Sequence, residues 1–367
     1  MIKKSLKTRQ ICFFFIAFMP VVKFFMMPSV MANSAGRDEW LSCIINVLLD
    51  FATLAALVFA FRNVKTNFFS LSENALGKVG SKIVYALYAV YFLMKAYVPI
   101  AEQRDYVELT LYSTLPNVLD FMPFMLLAFY FAQKKLRVIG RVSDVVWVLS
   151  TSAYLLMFSL AVSNAEFDLL LPVGKTPFNK IAQGSFYALN WFGDAAYFIF
   201  FVGEYEHKKG DGAKIVISYL VAALSVLVFV VIFYGTFSSI AFRQRYALTE
   251  MSKYSSVINN VGRFDYLAIF FLLLASAFSA AVPLYFASKL AVKIVGCNSP
   301  KIKTAVSATV FILYTAALLL FKEYNASIEK FMKEYGGYAF LLFGNVLPVV
   351  FAFTFSKGAT KNAIPAN

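Results

Sequence analysis

Apolar residues in this chain run in long continuous blocks, and polar residues gather between the blocks rather than alternating inside them. Ten blocks, at about 11–32, 40–61, 82–101, 114–132, 143–163, 183–203, 215–236, 264–288, 304–321 and 336–356, approach the roughly 20 residues that a helix needs to span ~30 Å of hydrocarbon. Lipid offers no hydrogen-bond partners, so these blocks predict helices. A barrel is disfavoured, since its strands would alternate in much shorter runs. The pattern therefore predicts an all-α integral membrane protein with ten transmembrane helices. The chain, 1–367, reads as a single polytopic membrane domain, with one half at about 11–163 and the other at about 183–356.

Two blocks are interrupted. Block 1 holds Val21, Val22, Lys23 and Phe24 between Pro20 and Pro28. Each proline removes an amide donor and clashes with the preceding turn. Block 6 holds Asn190, Trp191, Gly193 and Asp194, where glycine and asparagine loosen the helix. Interrupted spans at matching positions of two halves point to a transporter-type binding site. Their half-helix ends expose amides for a carboxylate and carbonyls for an ammonium. The expected substrate-binding set is these eight residues plus two aromatic residues of block 3, Tyr88 and Tyr91. Block 1 also has the basic start and small-residue end of a leader peptide, from Lys3 to Ala35. Its length, with Pro20 and Lys23 in the middle, predicts a retained span instead.

Composition agrees with a membrane setting. Hydrophobic residues make up 60% of the chain and charged residues 15%, against roughly 25% charged in soluble domains. The net charge is nonetheless +14. With the N-terminus placed inside, the inner side collects roughly twice as many Lys and Arg residues as the outer side, which predicts both termini cytoplasmic. The inner basic loops face lipid headgroups, and no nucleic-acid motif accompanies them. Cys12, Cys43 and Cys297 are scattered, and His207 is the lone histidine. No metal site, cofactor or enzymatic activity is expected. The connection at about 237–263, with Arg243 and Arg245, is long enough to serve as a lid.

Five ionisable residues fall inside the blocks: Lys23, Asp50, Lys95, Asp120 and Asp194. Such residues are costly in lipid and face partners or cavities. From the helical rise, Lys23 lies about 18 Å from the inner face, and Asp50 and Asp194 about 16 Å from the outer one. These three share the midplane, with Asp50 and Asp194 as candidates for proton coupling. Lys95 and Asp120 share a level about 10 Å below the outer face and are expected to form a structural ion pair.

Several short motifs occur in order: Pro28 followed by Arg37-Asp-Glu-Trp40, Phe192-Gly-Asp194, Gly262-Arg-Phe-Asp265 and Tyr335-Gly-Gly-Tyr338. In these the chain resembles the endospore germination permease family, the B subunits of spore germinant receptors, within the amino acid–polyamine–organocation superfamily. The resemblance covers essentially the whole chain. It implies two inverted five-helix repeats with helices 1 and 6 interrupted, and a pocket for an amino acid or similar small germinant. It also implies A- and C-type receptor subunits as partners and a place in the spore inner membrane or cell membrane. Relatives have a glycine-rich stretch in helix 1 where this chain has Val21-Val-Lys23. Two readings follow: Lys23 replaces the missing amides as a carboxylate partner, or it pairs with Asp194 and closes the site. A germinant-sensing subunit is the leading function, and a free-standing proton-coupled secondary transporter of amino acids is the alternative.

Overall fold

The computed structural model describes residues 6–106, 117–253, 265–296, 299–321 and 324–361. Among them, regular structure is helical throughout, apart from an isolated strand-like bridge between Leu6 and Tyr205. Block 1 is split into α1 (Thr8–Phe18) and α2 (Met27–Ala35). Next come α3 (Glu39–Phe61), α4 (Phe68–Tyr106), α5 (Asn117–Ala132) and α6 (Leu136–Ala161). Block 6 is split into α7 (Phe178–Tyr187) and the single turn α8 (Phe198–Phe201). The rest are α9 (Asp211–Phe237), α10 (Ala247–Lys253), α11 (Asp265–Val295), α12 (Pro300–Leu320), α13 (Asn325–Phe331), α14 (Gly337–Leu341) and α15 (Leu347–Lys361). Two π-helical turns, Met332–Gly336 and Leu342–Val346, join α13, α14 and α15 into one rod.

Seven of the described helical runs are long and apolar enough to cross a membrane, where the block pattern predicts ten. They correspond to blocks 2, 3, 5, 7, 8, 9 and 10. Blocks 1 and 6 are missing from this set because their helices are broken into pieces too short to span. Of block 4 the described part is α5, Asn117–Ala132, and residues 114–116 lie outside the described residues. The outward faces of the long helices are apolar. Ile312, Leu313 and Leu320 of α12 are more than half exposed, a surface suited to hydrocarbon and a liability in water.

The two broken blocks lie at the centre. The α1 helix packs between α6 and α9, α2 against α7, and α3 against α7, α9 and α15. The most buried long helix, α11, packs on α4, α5 and α6.

Two of the sequence motifs act as braces. Asp38 accepts hydrogen bonds from the Gly174 and Thr176 amides at 2.8 and 2.9 Å, tying the turn before α3 to the connection before α7. Gly336 and Gly337 bring the last rod against block 6, since a Cβ on Gly337 would lie 2.8 Å from the Phe186 ring. Gly262, Arg263 and Phe264 of the third motif, and Cys297, lie outside the described residues, as do residues 254–263 of the expected lid.

Candidate functional site

The break in block 1 is bracketed by its prolines. Pro20 ends α1, and Val21–Phe24 form a single 3-10 turn. Phe25 then leaves the helical region (φ −91°, ψ −98°). Pro28 lies in the first turn of α2, where a missing amide is harmless. It opens the second half-helix rather than kinking a continuous one. In block 6, Leu189–Trp191 form a 3-10 turn, Phe192 is extended, and Gly193 is left-handed at φ +84°. A second 3-10 turn, Asp194–Tyr197, leads into α8. A Cβ on Gly193 would lie 2.7 Å from Tyr91 Oη and 3.3 Å from Gly344 Cα. Backbone conformation and crowding both require glycine there.

Broken helices strand backbone polar groups, which buried surroundings cannot leave unpaired without cost. Charged side chains answer them here. Asp50, on α3, accepts from the Gly193 amide with both oxygens at 3.0 Å and from the Asp194 amide at 3.1 Å. Lys23 Nζ donates to the Met19 carbonyl at 2.7 Å and pairs with Asp194 Oδ2 at 2.5 Å. Lys95 Nζ, on α4, pairs with Asp194 Oδ1 at 3.2 Å and donates to the Phe192 carbonyl. Tyr91 Oη donates to the Gly193 carbonyl at 3.3 Å. Lys23, Asp50 and Asp194 have no exposed surface, and Lys95 has 4%. Two ammonium groups thus face two carboxylates in a closed, formally neutral cluster, and the breaks in blocks 1 and 6 are locked together through it.

Of the two readings of Lys23, the geometry shows the pairing one: its ammonium is taken up by Asp194. The expected Lys95–Asp120 pair falls on a side chain outside the described residues; among the described residues the Lys95 ammonium meets Asp194 and the Phe192 carbonyl. Depth counted along the helix placed the Lys95 backbone one to two turns away from Asp194, and the long lysine stem closes that gap.

The other expected residues separate. Val21 and Val22 are buried beside Lys23. Phe24 turns away into an aromatic cluster with Tyr154, Phe158 and Phe229. Tyr88 packs among Phe68, Phe200, Phe343 and Phe351.

Asn190 and Trp191 line a cavity of about 430 Å³ on the α2 side of the cluster, shared with Met26, Val30, Tyr97, Val98 and Glu102. Its wall also holds Lys330, Lys333 and Glu334. Sequence reading did not single out Glu102. It is 3% exposed, and its Oε1 accepts from Trp191 Nε1 at 2.8 Å. Its Oε2 has no hydrogen-bond partner, and neither does Asn190 Oδ1, whose amide nitrogen donates to the Met332 carbonyl at 3.0 Å. A void of about 10 Å³, room for about one water, lies between Val22, Lys95, Asn190 and Trp191. Trp191 and Asn190 therefore form the partition between the cavity and the ionic cluster. A carboxylate at the end of block 3 resembles an ordinary helix-end charge, so only the fold reveals its position.

The described part of the expected lid, residues 237–253, folds back on the breaks. The Ala247 amide donates to the Phe25 carbonyl at 3.1 Å, answering the stranded end of the block 1 break. Arg245 pairs with Asp105 at 2.9 Å and with Glu329, a cavity-lining residue, at 3.1 Å.

No curated protein matches this chain in sequence. A family model described as spore germination protein, the spore permease family, matches residues 5–355. Nearly the whole chain is covered, and the seven long apolar helices are those of an integral membrane protein. The chain therefore belongs to the spore germination permease family.

Proposed function

We propose that this protein is a permease-like membrane subunit that recognises a small germinant such as an amino acid, and passes the signal to A- and C-type receptor subunits in the spore inner membrane. In this reading the ten blocks form two inverted five-helix repeats, both termini are cytoplasmic, and the cavity opens to the exterior. The observation that carries the reading is the buried, half-unpaired carboxylate of Glu102 in the wall of the 430 Å³ cavity.

An amino acid fits that wall chemically. Its ammonium meets Glu102 Oε2 and Asn190 Oδ1, and its carboxylate turns toward Lys330 and Lys333. An apolar side chain rests on Met26 and Val30. Trp191 links the two levels, because its indole is bonded to Glu102 while its backbone enters the Phe192–Gly193 break. Recognition at Glu102 thus bears on the ionic cluster without a ligand having to enter it. Free-standing transport would require the Lys23–Asp194 pair, closed at 2.5 Å, to open for substrate.

Thermal shift of the purified chain against a panel of amino acids tests this. Glu102→Gln keeps an acceptor for Trp191 but removes the charge, so the unliganded melting midpoint is retained. Ligand affinity falls on the order of 10- to 100-fold, the loss of one charge-assisted hydrogen bond worth about 1.5–3 kcal/mol. An unchanged ligand response in Glu102→Gln rejects the cavity. Uptake of labelled amino acid by the chain alone in vesicles supports the transporter instead.

A further inference from the structure

A second polar pocket, of about 260 Å³, lies at the opposite end of the molecule, between the start of α1 and the start of α6. Its floor is Leu6 and Gln10, and its rim is Lys7, Arg9, Arg137, Arg141 and Asp144. Four cations therefore surround one carboxylate, and that carboxylate is already engaged. Asp144 pairs with Arg9 at 3.2 Å and accepts from Gln10 Nε2 at 2.8 Å. Lys7, Arg137 and Arg141 make no ion pair among the described residues and are exposed. The floor is firm, because α1 presses against Gly140 of α6: a Cβ there would lie 2.5 Å from Leu6 and 3.0 Å from Gln10.

The surface below this pocket is apolar and unpartnered. Val145, Val148 and Leu155 are 58%, 47% and 56% exposed. With Arg137 and Arg141 they occupy a strip of about 80° of arc on α6, from the turn of 100° per residue. The α6 run that is long and apolar enough to cross a membrane starts at Leu136, and its continuous apolar block starts at about 143, so Arg137 and Arg141 lie one to two turns before the apolar strip. Trp147 stacks on Phe13 nearby, ring centroids 4.4 Å apart, an aromatic pair suited to a membrane boundary.

We propose that this pocket binds the phosphodiester headgroup of an anionic phospholipid, one acyl chain of which lies along the Val145–Val148–Leu155 strip. Lys7, Arg137 and Arg141 hold the phosphate, and the lipid bridges α1 to α6. It thereby steadies the half-helix that leads into the Pro20 break. The inference is independent of the ligand cavity, which lies on the α2 side.

The test is a native mass-spectrometry titration of the full chain, in mild detergent, with phosphatidylglycerol and with phosphatidylcholine of the same acyl chains. The expected result is one tightly held phosphatidylglycerol per chain, in preference to phosphatidylcholine. Arg137→Gln with Arg141→Gln weakens it about 30-fold, at the usual worth of two basic residues near an anionic surface. Both side chains are exposed, so the variant folds; Lys7→Gln with Arg9→Gln is a second variant expected to weaken binding in the same direction. Lys301→Gln with Lys303→Gln, equal charge removed from the start of α12, leaves binding unchanged. The proposal is overturned if the arginine variant binds as wild type, or if the α12 control loses as much. It is also overturned if inorganic phosphate or glycerol 3-phosphate displaces the lipid at equal concentration, since the acyl strip would then contribute nothing.

Discussion

If the four-charge cluster holds the two broken spans together by balancing its own charge, removing one charge should be far more damaging than removing one of each sign. Asp50→Asn leaves two ammonium groups facing one carboxylate in a site without solvent. An asparagine oxygen still accepts from the Gly193 and Asp194 amides, so most of the loss is electrostatic. Breaking a buried pair costs about 3–5 kcal/mol. Lys95→Met reverses the imbalance and also strands the Phe192 carbonyl, for a similar about 3–5 kcal/mol. Simple addition puts the double variant at about 6–10 kcal/mol, but it restores one cation facing one anion, the Lys23–Asp194 pair. We therefore expect about 3–6 kcal/mol, a coupling of about 3–4 kcal/mol, at the upper end of that seen for residues of one network. In melting midpoint, at about 2–4 °C per kcal/mol for a chain of some 200 residues or more, each single variant falls by about 6–20 °C. The double variant falls by little more than either. Melting curves of the four proteins in one detergent, with insertion checked by membrane fractionation, measure this. Costs that add to within about 0.5 kcal/mol would refute charge balance as the organising feature.

The remaining predictions concern geometry, cover and orientation. Gly193→Ala forces a Cβ at positive φ to within 2.7 Å of Tyr91 Oη, with an expected cost of about 1–3 kcal/mol from backbone strain alone. Adding Tyr91→Phe should recover part of the midpoint, and failure to recover would mean that the hydroxyl is not the obstacle. Arg245→Gln releases the strap from Asp105 and Glu329. Because Arg245 is 44% exposed, the midpoint should move by no more than about 1 kcal/mol, while hydrogen exchange at the Ala247 amide quickens; unchanged exchange would show that the strap is held by Tyr246, Leu248 and Met251 packing instead. A reporter fused after Lys361 should read cytoplasmic, and an exterior signal would mean an odd number of crossings.

Block pattern, charge bias and the two interruptions were legible along the chain because each is a local property. Continuous apolar runs of spanning length imply helices in lipid whatever they pack against. Pro20, Pro28 and Gly193 break or start helices through their own covalent geometry. For the same reason the order of motifs was enough to point to the family. Length alone overstated the number of unbroken spans, since the prolines and glycine that mark blocks 1 and 6 also divide them into pieces.

Pairing was not legible, because it depends on which helices become neighbours. Depth along separate helices set Lys95 level with Asp120 and gave no sign that its ammonium meets Asp194 and the Phe192 carbonyl. Tyr88 and Tyr91 are nearly one helical turn apart in sequence, yet only Tyr91 reaches the break. Glu102 looked like a helix-end charge until α2, α7 and the turn before α14 enclosed it with Trp191. The sequence by itself determined that costly charges and broken helices share the membrane. Only the tertiary structure decided which charge answers which stranded backbone group, because a buried ion is stable only where the fold supplies its partner.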